Sequence, residues 1–241
     1  MRNHCTDMLF RGSAMRFPHA QGLFRETLLV PAYLPYHVGS GVEAGLAALA
    51  EPFAVCLHAV KQAGWLLGKT VQVSGCGPIG CLIVAAARLA GAHRVIACDV
   101  VAEPLKVAER LGANEIVING PDSTSYKEGK GRIDVAFDCS GHPAAVATAI
   151  ECLRPAARSL RSASAALCPS RCPSRYEGTR RCRQLPFDAQ FGEAVGLISS
   201  GGIDLAPLIS YTYQVEQATE AFDLAGDRNH AMKVQLAFEK L

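Results

Sequence analysis

The chain has 241 residues, of which 49% are apolar, and this is enough for one large or two modest domains with an α/β core. It contains no run of 18 uncharged apolar residues, and residues 1–7 lack the apolar core of a signal peptide, so we expect neither a membrane partner nor export. Ten cysteines in a chain without an export signal are typical of reduced thiols in a cytoplasmic protein.

The net charge of +2 conceals two unlike regions. Residues 155–186 carry seven arginines, no lysine and one glutamate, a net charge of +6, and the rest of the chain carries −4. One segment therefore sets the sign of the charge for the whole protein.

Before residue 68 the sequence predicts short, interrupted elements. Residues 1–20 are rich in turn formers, and two short strands are predicted over 24–30 and 33–38, separated by Pro31 and Pro35. Apolar residues over 41–50 and 53–63 predict two helices, since Pro52 is tolerated in a first helical turn.

The next segment has the pattern of a dinucleotide-binding unit. A β-branched run from Val71 breaks into Gly75-Cys-Gly77-Pro-Ile-Gly80 and continues into an apolar, helical stretch over 81–90. Gly75 permits the tight turn, Gly77 lets a pyrophosphate approach the backbone, and Gly80 lets the helix lie close to the sheet. The helix N-terminus offers free N–H groups and a partial positive charge to phosphates.

The second predicted strand, 94–99, ends in Asp99, 19 positions after Gly80. A carboxylate at this distance is expected to bind the adenosine ribose hydroxyls. Val100 and Val101 follow it instead of an arginine, which favours NAD over NADP. The alternative is an ordinary glycine-rich turn with an aspartate at the surface.

Helices and strands then alternate. A helix over 103–111, a strand over 115–118, a polar loop over 119–131 and a strand over 133–138 lead to Cys139-Ser140-Gly141 and a helix over 143–153. This alternation predicts a parallel, doubly wound sheet of the α/β class. After Phe187 the pattern predicts a helix over 191–199, a strand over 208–213, a helix over 215–225 and an edge strand over 233–238.

Residues 156–186 interrupt this pattern where a fifth strand is due. They contain no Val or Ile, although a buried parallel strand is usually rich in both. Three interpretations remain open: a segment read out of frame from a GC-rich gene, which the composition favours, a disordered insert, or a basic nucleic-acid-binding tail. The scarcity of aromatic residues speaks against the last, so we expect no nucleic-acid partner.

With these elements in place, the chain resembles the zinc-dependent medium-chain alcohol and polyol dehydrogenases. The resemblance covers residues 3–154 and 187–238. It is carried by Asn3-His-Cys-Thr-Asp-Met, Gly12-Ser-Ala-Met, Phe17-Pro-His, Ala50-Glu-Pro, Ser74-Gly-Cys-Gly-Pro-Ile-Gly-Cys-Leu-Ile, Ser140-Gly-His-Pro and Lys233-Val-Gln-Leu. The Gly-Pro-Ile-Gly form is specific to this family, and the early motifs point to its idonate-oxidising group.

The resemblance implies a GroES-like, β-rich catalytic domain interrupted by a Rossmann domain. Residues 1–48 and 191–241 would be pieces of the catalytic domain and 49–190 the NAD-binding domain. It also implies a homo-oligomer that oxidises a secondary alcohol of a sugar acid or polyol, with zinc polarising the oxygen and NAD accepting the hydride. The implied cofactor-binding residues are Gly75, Gly77, Pro78, Ile79, Gly80, Asp99, Ser140 and Gly141.

The implied zinc ligands are only partly present. The family's leading catalytic ligands, a cysteine and a His-Glu pair, fall upstream of the first residue, and Glu51 matches the remaining catalytic and metal-binding carboxylate. The alternative for Glu51 is a charge at a helix N-terminus, which the macrodipole favours. Cys5 matches the last cysteine of the structural zinc lobe, with a free thiol as the alternative. His58 is more typical of a packed side chain than of a ligand.

A catalytic zinc needs about three protein ligands. We therefore expect this sequence, as it stands, neither to bind zinc nor to transfer hydride efficiently. The alternative function is a nucleotide-binding remnant, in which residues 69–154 hold the ADP half of NAD without chemistry.

Overall fold

The structure, a computed structural model, describes residues 11–12, 17–118, 131–161, 182–183 and 189–238. Their main sheet contains β1 Thr70–Ser74, β2 Arg94–Asp99, β3 Glu115–Ile118, β4 Ile133–Asp138, β5 Leu153–Arg161 and β6 Cys182–Arg183. All neighbours are parallel, in the order β3-β2-β1-β4-β5-β6. The chain runs from β1 to β3 on one side of the sheet and from β4 to β6 on the other, so the topological switch point lies between β1 and β4. Such a switch point leaves a crevice at the carboxyl ends of the strands.

Helices cover both faces of this sheet. One face carries α2 Ala50–Ala63, α3 Pro78–Leu89, α4 Ala102–Arg110 and α6 Ala189–Ser199, packed on buried strand residues such as Val73 and Phe137. The other face carries α5 Pro143–Glu151 over residues such as Ile96 and Ala136. Strands covered on both sides read as continuous apolar runs, which is why the sequence showed them clearly. The predicted α/β class with a parallel Rossmann sheet is confirmed.

The segment Ala44–Ala63, which contains α1 Ala44–Ala47 and α2, is long and apolar enough to cross a membrane by length and composition. Eight residues of α2 are buried, and the helix packs between α3 and α6. The apolar face of α2 is thus used in the core of the folded chain. The expected absence of a membrane partner stays a prediction.

The C-terminal segment builds a separate two-stranded parallel sheet from β7 Ile209–Gln214 and β8 Lys233–Ala237, joined through α7 Ala218–Ala225. The predicted helix over 215–225 starts with a 3₁₀ turn at Val215–Gln217. Gln235 of β8 donates from Nε2 to the carbonyl oxygen of Gly45, at 2.8 Å, and so ties this sheet to α1.

The two strands predicted over 24–30 and 33–38 are wrong. These residues have no strand conformation, and their backbone hydrogen bonds are local, such as Leu34 N–H to Pro31 C=O. A strand needs a neighbour to pair with, and the described part of the chain supplies none here. Large apolar side chains of this segment are exposed instead, including Leu29 at 92%.

The prediction that residues 156–186 supply no fifth strand is also wrong, because β5 runs from Leu153 to Arg161. It pairs in parallel with β4, with Leu160 opposite Phe137. Leu153 and Leu160 are buried, which supplies the apolar anchors that Val or Ile would otherwise give. Strand pairing is made by the backbone, so an unfavourable composition did not prevent it. Residues 162–181 and 184–188, the rest of the interrupted segment, lie outside the described residues.

Candidate functional site

A cleft with a volume of about 710 Å³ opens at the carboxyl ends of β1, β2 and β4. Its floor and walls come from the turn after β1, the end of β2, the turn after β4 and the first half of α5, with one residue from the C-terminal segment. The lining residues are Gln72, Ser74, Gly75, Gly77, Asp99, Val100, Cys139, Ser140, His142, Ala144, Ala145, Thr148 and Arg228.

Gly75 closes the end of β1 in a conformation that other residues rarely adopt. Its φ is +88°, and its N–H donates to the carbonyl oxygen of Cys98 at 2.8 Å. A Cβ here would lie 2.6 Å from the backbone nitrogen of Ser140. Both the backbone conformation and the close approach of the neighbouring turn therefore require glycine.

The other two glycines of the motif are glycine for different reasons. Gly80 lies in the first turn of α3, where a Cβ would overlap the carbonyl oxygen of Gly75. Gly77 is the N-cap of α3, with an ordinary φ of −63°, and a Cβ there would meet no atom within 4 Å. The space beside Gly77 is the cleft itself, so a bound group can approach the backbone at this point.

Pro78 and Ile79 form the first turn of α3 with Gly80. Pro78 suits this position because the first N–H groups of a helix have no acceptor within it. The remaining amides and the positive end of the helix dipole face the cleft side of Gly77, an arrangement suited to a phosphate. The residues present therefore fit the pyrophosphate of a dinucleotide.

Asp99 is 3% exposed and joins the end of β2 to the glycine turn. Its Oδ2 accepts from the N–H of Cys76 at 2.6 Å, and its Oδ1 accepts from Val100 and Val101 at 2.7 and 3.1 Å. Arg228 Nη2 also donates to Oδ1 at 3.2 Å and to Oδ2 at 3.0 Å. The carboxylate predicted to meet a ribose is thus already bound on both oxygens.

Ser140 and Gly141 are held at the cleft by Asp138, the last residue of β4. Asp138 Oδ1 accepts from Ser140 Oγ at 2.7 Å, from the Ser140 N–H at 3.1 Å and from the Gly141 N–H at 3.3 Å. Ser140 Oγ in turn accepts from the N–H of His142 at 3.1 Å. This carboxylate orders the turn that packs against Gly75.

Glu51 lies in the first turn of α2 and is not among the residues that line the cleft. Its partial removal from water raises the pKa of its carboxyl, and the positive charge of Lys233 acts in the opposite direction. His58, two helical turns further, has its Nδ1 3.3 Å from Oε1 of Gln190 on α6, as expected for a packed side chain.

The described residues contain no group of three or more His, Cys, Asp or Glu that could hold a metal ion. Glu51 alone does not make a zinc site, and Cys5 lies outside the described residues. The metal roles of both residues stay predictions.

The cysteines around the glycine motif are buried, unpaired thiols, as predicted. Cys76, Cys81 and Cys98 are at most 2% exposed. Burial raises the pKa of Cys81 and that of Cys98 to about 12, and raises the pKa of Cys76 further. These thiols stay protonated at neutral pH and act as small core residues.

The structure therefore brings Gly75, Gly77, Asp99 and Ser140 to one cleft and leaves Glu51 outside its lining. Sequence reasoning missed two residues, Asp138 and Arg228. The spacing Asp-Cys-Ser-Gly, an acid two residues before a serine at a strand end, could have indicated the first. No local signal indicated Arg228, which reaches Asp99 across 129 positions of sequence.

Comparison with known proteins gives consistent matches. The family model described as zinc-binding dehydrogenase matches residues 78–166. L-idonate 5-dehydrogenase (NAD(P)(+)) of Escherichia coli is 37% identical over 241 residues, which cover 98% of this chain and 70% of that protein. Sorbitol dehydrogenase of Bacillus subtilis is 27% identical over 97% of this chain and 67% of that protein. The crystal structure of the Escherichia coli L-idonate 5-dehydrogenase superposes with a TM-score of 0.87 at 35% identity, over 98% of this chain and 69% of that one.

Proposed function

Because the chain belongs to the zinc-dependent medium-chain dehydrogenase family, we propose that it binds an adenine dinucleotide in the cleft and uses it to oxidise a secondary alcohol of a sugar acid or polyol. Gly77 is the observation that carries the nucleotide part. It caps α3 at the cleft, and a side chain at this position would meet no protein atom within 4 Å, so that only a bound group would be displaced by it.

The substrate class comes from the relatives, which are oxidoreductases that act on CH–OH groups. Their names refer to idonate, sorbitol, xylulose and threonine. The chain is more similar to the idonate enzyme of Escherichia coli than to the sorbitol enzyme, so L-idonate is the first substrate to test.

The protein's part in this function is to bind and orient the cofactor. When bound, the nicotinamide of the cofactor accepts a hydride from the alcohol carbon. The N-terminus of α3 and Gly77 receive the pyrophosphate, the Asp99–Arg228 pair lies at the end of β2 where the adenosine ribose belongs, and the Ser140–Gly141 turn walls the cleft beside β4.

A second candidate is nucleotide binding without turnover. The observation in its favour is that the described residues supply one carboxylate, Glu51, and no three-ligand group at the place the resemblance assigns to zinc. Both candidates share the nucleotide cleft and differ only in whether alcohol is oxidised.

Calorimetric titration of the full chain with NAD⁺, NADP⁺ and ADP tests the shared part. We expect binding to weaken about tenfold or more in Gly77→Asn, a loss of about 1.4 kcal/mol, because the side chain enters the space of the pyrophosphate. Asn is a favoured N-cap residue, so the thermal midpoint should stay near that of the parent. Gly39→Asn is the matched control, since a Cβ at Gly39 also meets open space but lies away from the cleft.

Formation of reduced nicotinamide with L-idonate, with and without added Zn²⁺, then separates the candidates. Turnover supports the dehydrogenase, and nucleotide binding without turnover supports the second candidate. A parent chain that binds none of the three nucleotides would refute the nucleotide cleft altogether.

A further inference from the structure

The adenosine end of the cleft is built differently from the sequence expectation. A carboxylate offers about four lone-pair positions. The carboxylate oxygens of Asp99 accept hydrogen bonds from three backbone N–H groups and two from Nη2 of Arg228, and the side chain is buried. Asp99 therefore has little capacity left to accept hydrogen bonds from ribose hydroxyls while this arrangement holds.

Arg228 is the group that faces outward at this position. Its side chain is 54% exposed, whereas that of its partner Asp99 is 2% exposed. It lines the cleft at the carboxyl ends of the strands and also a smaller cavity of about 100 Å³ between α4 and the C-terminal segment. Only Nη2 of its guanidinium binds Asp99, which leaves further N–H donors of the planar group at the rim.

The net charge at this position also differs from that of an unpaired aspartate. An unpaired Asp99 would repel a phosphate at the ribose 2′ position. Arg228 neutralises Asp99 and presents a guanidinium, whose geometry matches the oxygens of a phosphate.

We propose that Arg228 is a specificity-determining residue that reads the adenosine 2′ position and lets the cleft accept a 2′-phosphate, so that the chain binds NADP as well as NAD. This inference rests on the proposed nucleotide function. It replaces the expectation of NAD preference drawn from Val100 and Val101, because the deciding arginine arrives from a distant part of the chain instead of following Asp99.

The test is calorimetric titration of the full chain with two matched pairs of ligands. NAD⁺ is compared with NADP⁺, and 5′-AMP with adenosine 2′,5′-bisphosphate, so that the readout is binding and not activity. For the parent chain we expect the affinities within each pair to agree within about tenfold. In Arg228→Gln the 2′-phosphorylated member should weaken by about 10- to 100-fold, while its partner changes little, because a charge-assisted contact to phosphate is lost.

Two further variants keep the test interpretable. Arg228→Lys retains the charge beside buried Asp99 and loses the planar fork, so it should fold and show a smaller loss in the same direction. Arg154→Gln is the matched control, because Arg154 is similarly exposed and pairs with Asp134 near the amino ends of the strands, away from the cleft.

The outcomes separate this inference from the proposed function. If NAD⁺ and 5′-AMP bind but the 2′-phosphorylated ligands bind more than about 100-fold more weakly, or if neither Arg228 variant changes the ratio within a pair, the inference is overturned and the nucleotide cleft stands. If no ligand binds, the proposed function fails and this inference fails with it.

Discussion

Gly77 and Gly80 belong to one sequence motif, yet different neighbours require them to be glycine. A side chain at Gly80 would overlap the carbonyl oxygen of Gly75, so this glycine is needed for the fold. A side chain at Gly77 would enter the cleft, in the space that we propose for the pyrophosphate. The spacing of the motif predicted both positions because both glycines lie at the junction between β1 and α3.

Glu51 gives a prediction about pH. Burial raises the pKa of its carboxyl above 4.5, so the folded state holds the proton more tightly than the unfolded chain does. Ionisation of Glu51 therefore costs stability as pH rises through the folded pKa. We expect Glu51→Gln to match the parent in thermal midpoint at and below pH 4.5, and to exceed it at pH 8, as measured by circular dichroism.

Lys233 supplies the control for this prediction. Its positive charge lowers the pKa of Glu51 and so opposes the effect of burial. Lys233→Gln should enlarge the loss of stability between pH 4.5 and pH 8. A Glu51→Gln variant less stable than the parent at pH 8 would show that the charged form of Glu51 is favoured in the fold.

At the scale of elements, the turn after β4 shows how a single acid fixes a wall of the cleft. Asp138 accepts three hydrogen bonds, two from Ser140 and one from Gly141, which is a local, Asx-type arrangement. This part of the site could be predicted from sequence, since all the groups lie within four positions. The packing of this turn against Gly75, where a Cβ would lie 2.6 Å from the backbone nitrogen of Ser140, could not be predicted.

The fifth strand gives the sharpest test at this scale. Hydrogen exchange should show the amides of 153–161 protected to a degree comparable with β4, because the two strands are paired. Leu160→Ala should lower the free energy of unfolding by about 2–5 kcal/mol, as expected for a buried leucine. Denaturant unfolding measures this value.

Leu89→Ala is the control, because Leu89 is 45% exposed at the end of α3 and its loss should cost much less. Exchange of the 153–161 amides as fast as in an unfolded peptide would contradict β5. It would restore the expectation that no fifth strand forms after Pro155.

At the scale of the whole molecule, residues 17–36 form a surface with exposed large apolar side chains. Phe17, Phe24, Leu29 and Tyr33 are 71–92% exposed. Exposed apolar surface of this kind favours association. We expect the purified chain to self-associate with increasing concentration in light-scattering chromatography, and Leu29→Ser to shift association to roughly tenfold higher concentration, since burying one leucine is worth about 1.5–3 kcal/mol.

Trp65→Ser is the matched control, since Trp65 is 78% exposed and lies outside this segment. An equal shift in both variants would show that association is not specific to residues 17–36. A chain that stays monomeric at all concentrations would show that this surface does not drive association.

The alternation of strands and helices from Thr70 to Glu151 and the glycine turn at the cleft could both be predicted from local sequence patterns. Both depend on properties that act within a few residues: apolar runs for strands covered on two faces, and backbone conformations that only glycine adopts easily. These features also carried the resemblance to the dehydrogenase family.

Whether a segment pairs with a neighbouring strand depends instead on contacts between distant parts of the chain. Residues 24–38 have strand-like composition but no neighbouring strand in the part of the chain that the structure describes, whereas β5 has an unfavourable composition and the edge of β4 beside it. In the same way, Arg228 reaches Asp99 from 129 positions away, because the C-terminal segment folds back over the end of β2. Pairing and charge neutralisation are contacts between distant parts of the chain, and a local sequence pattern does not contain them.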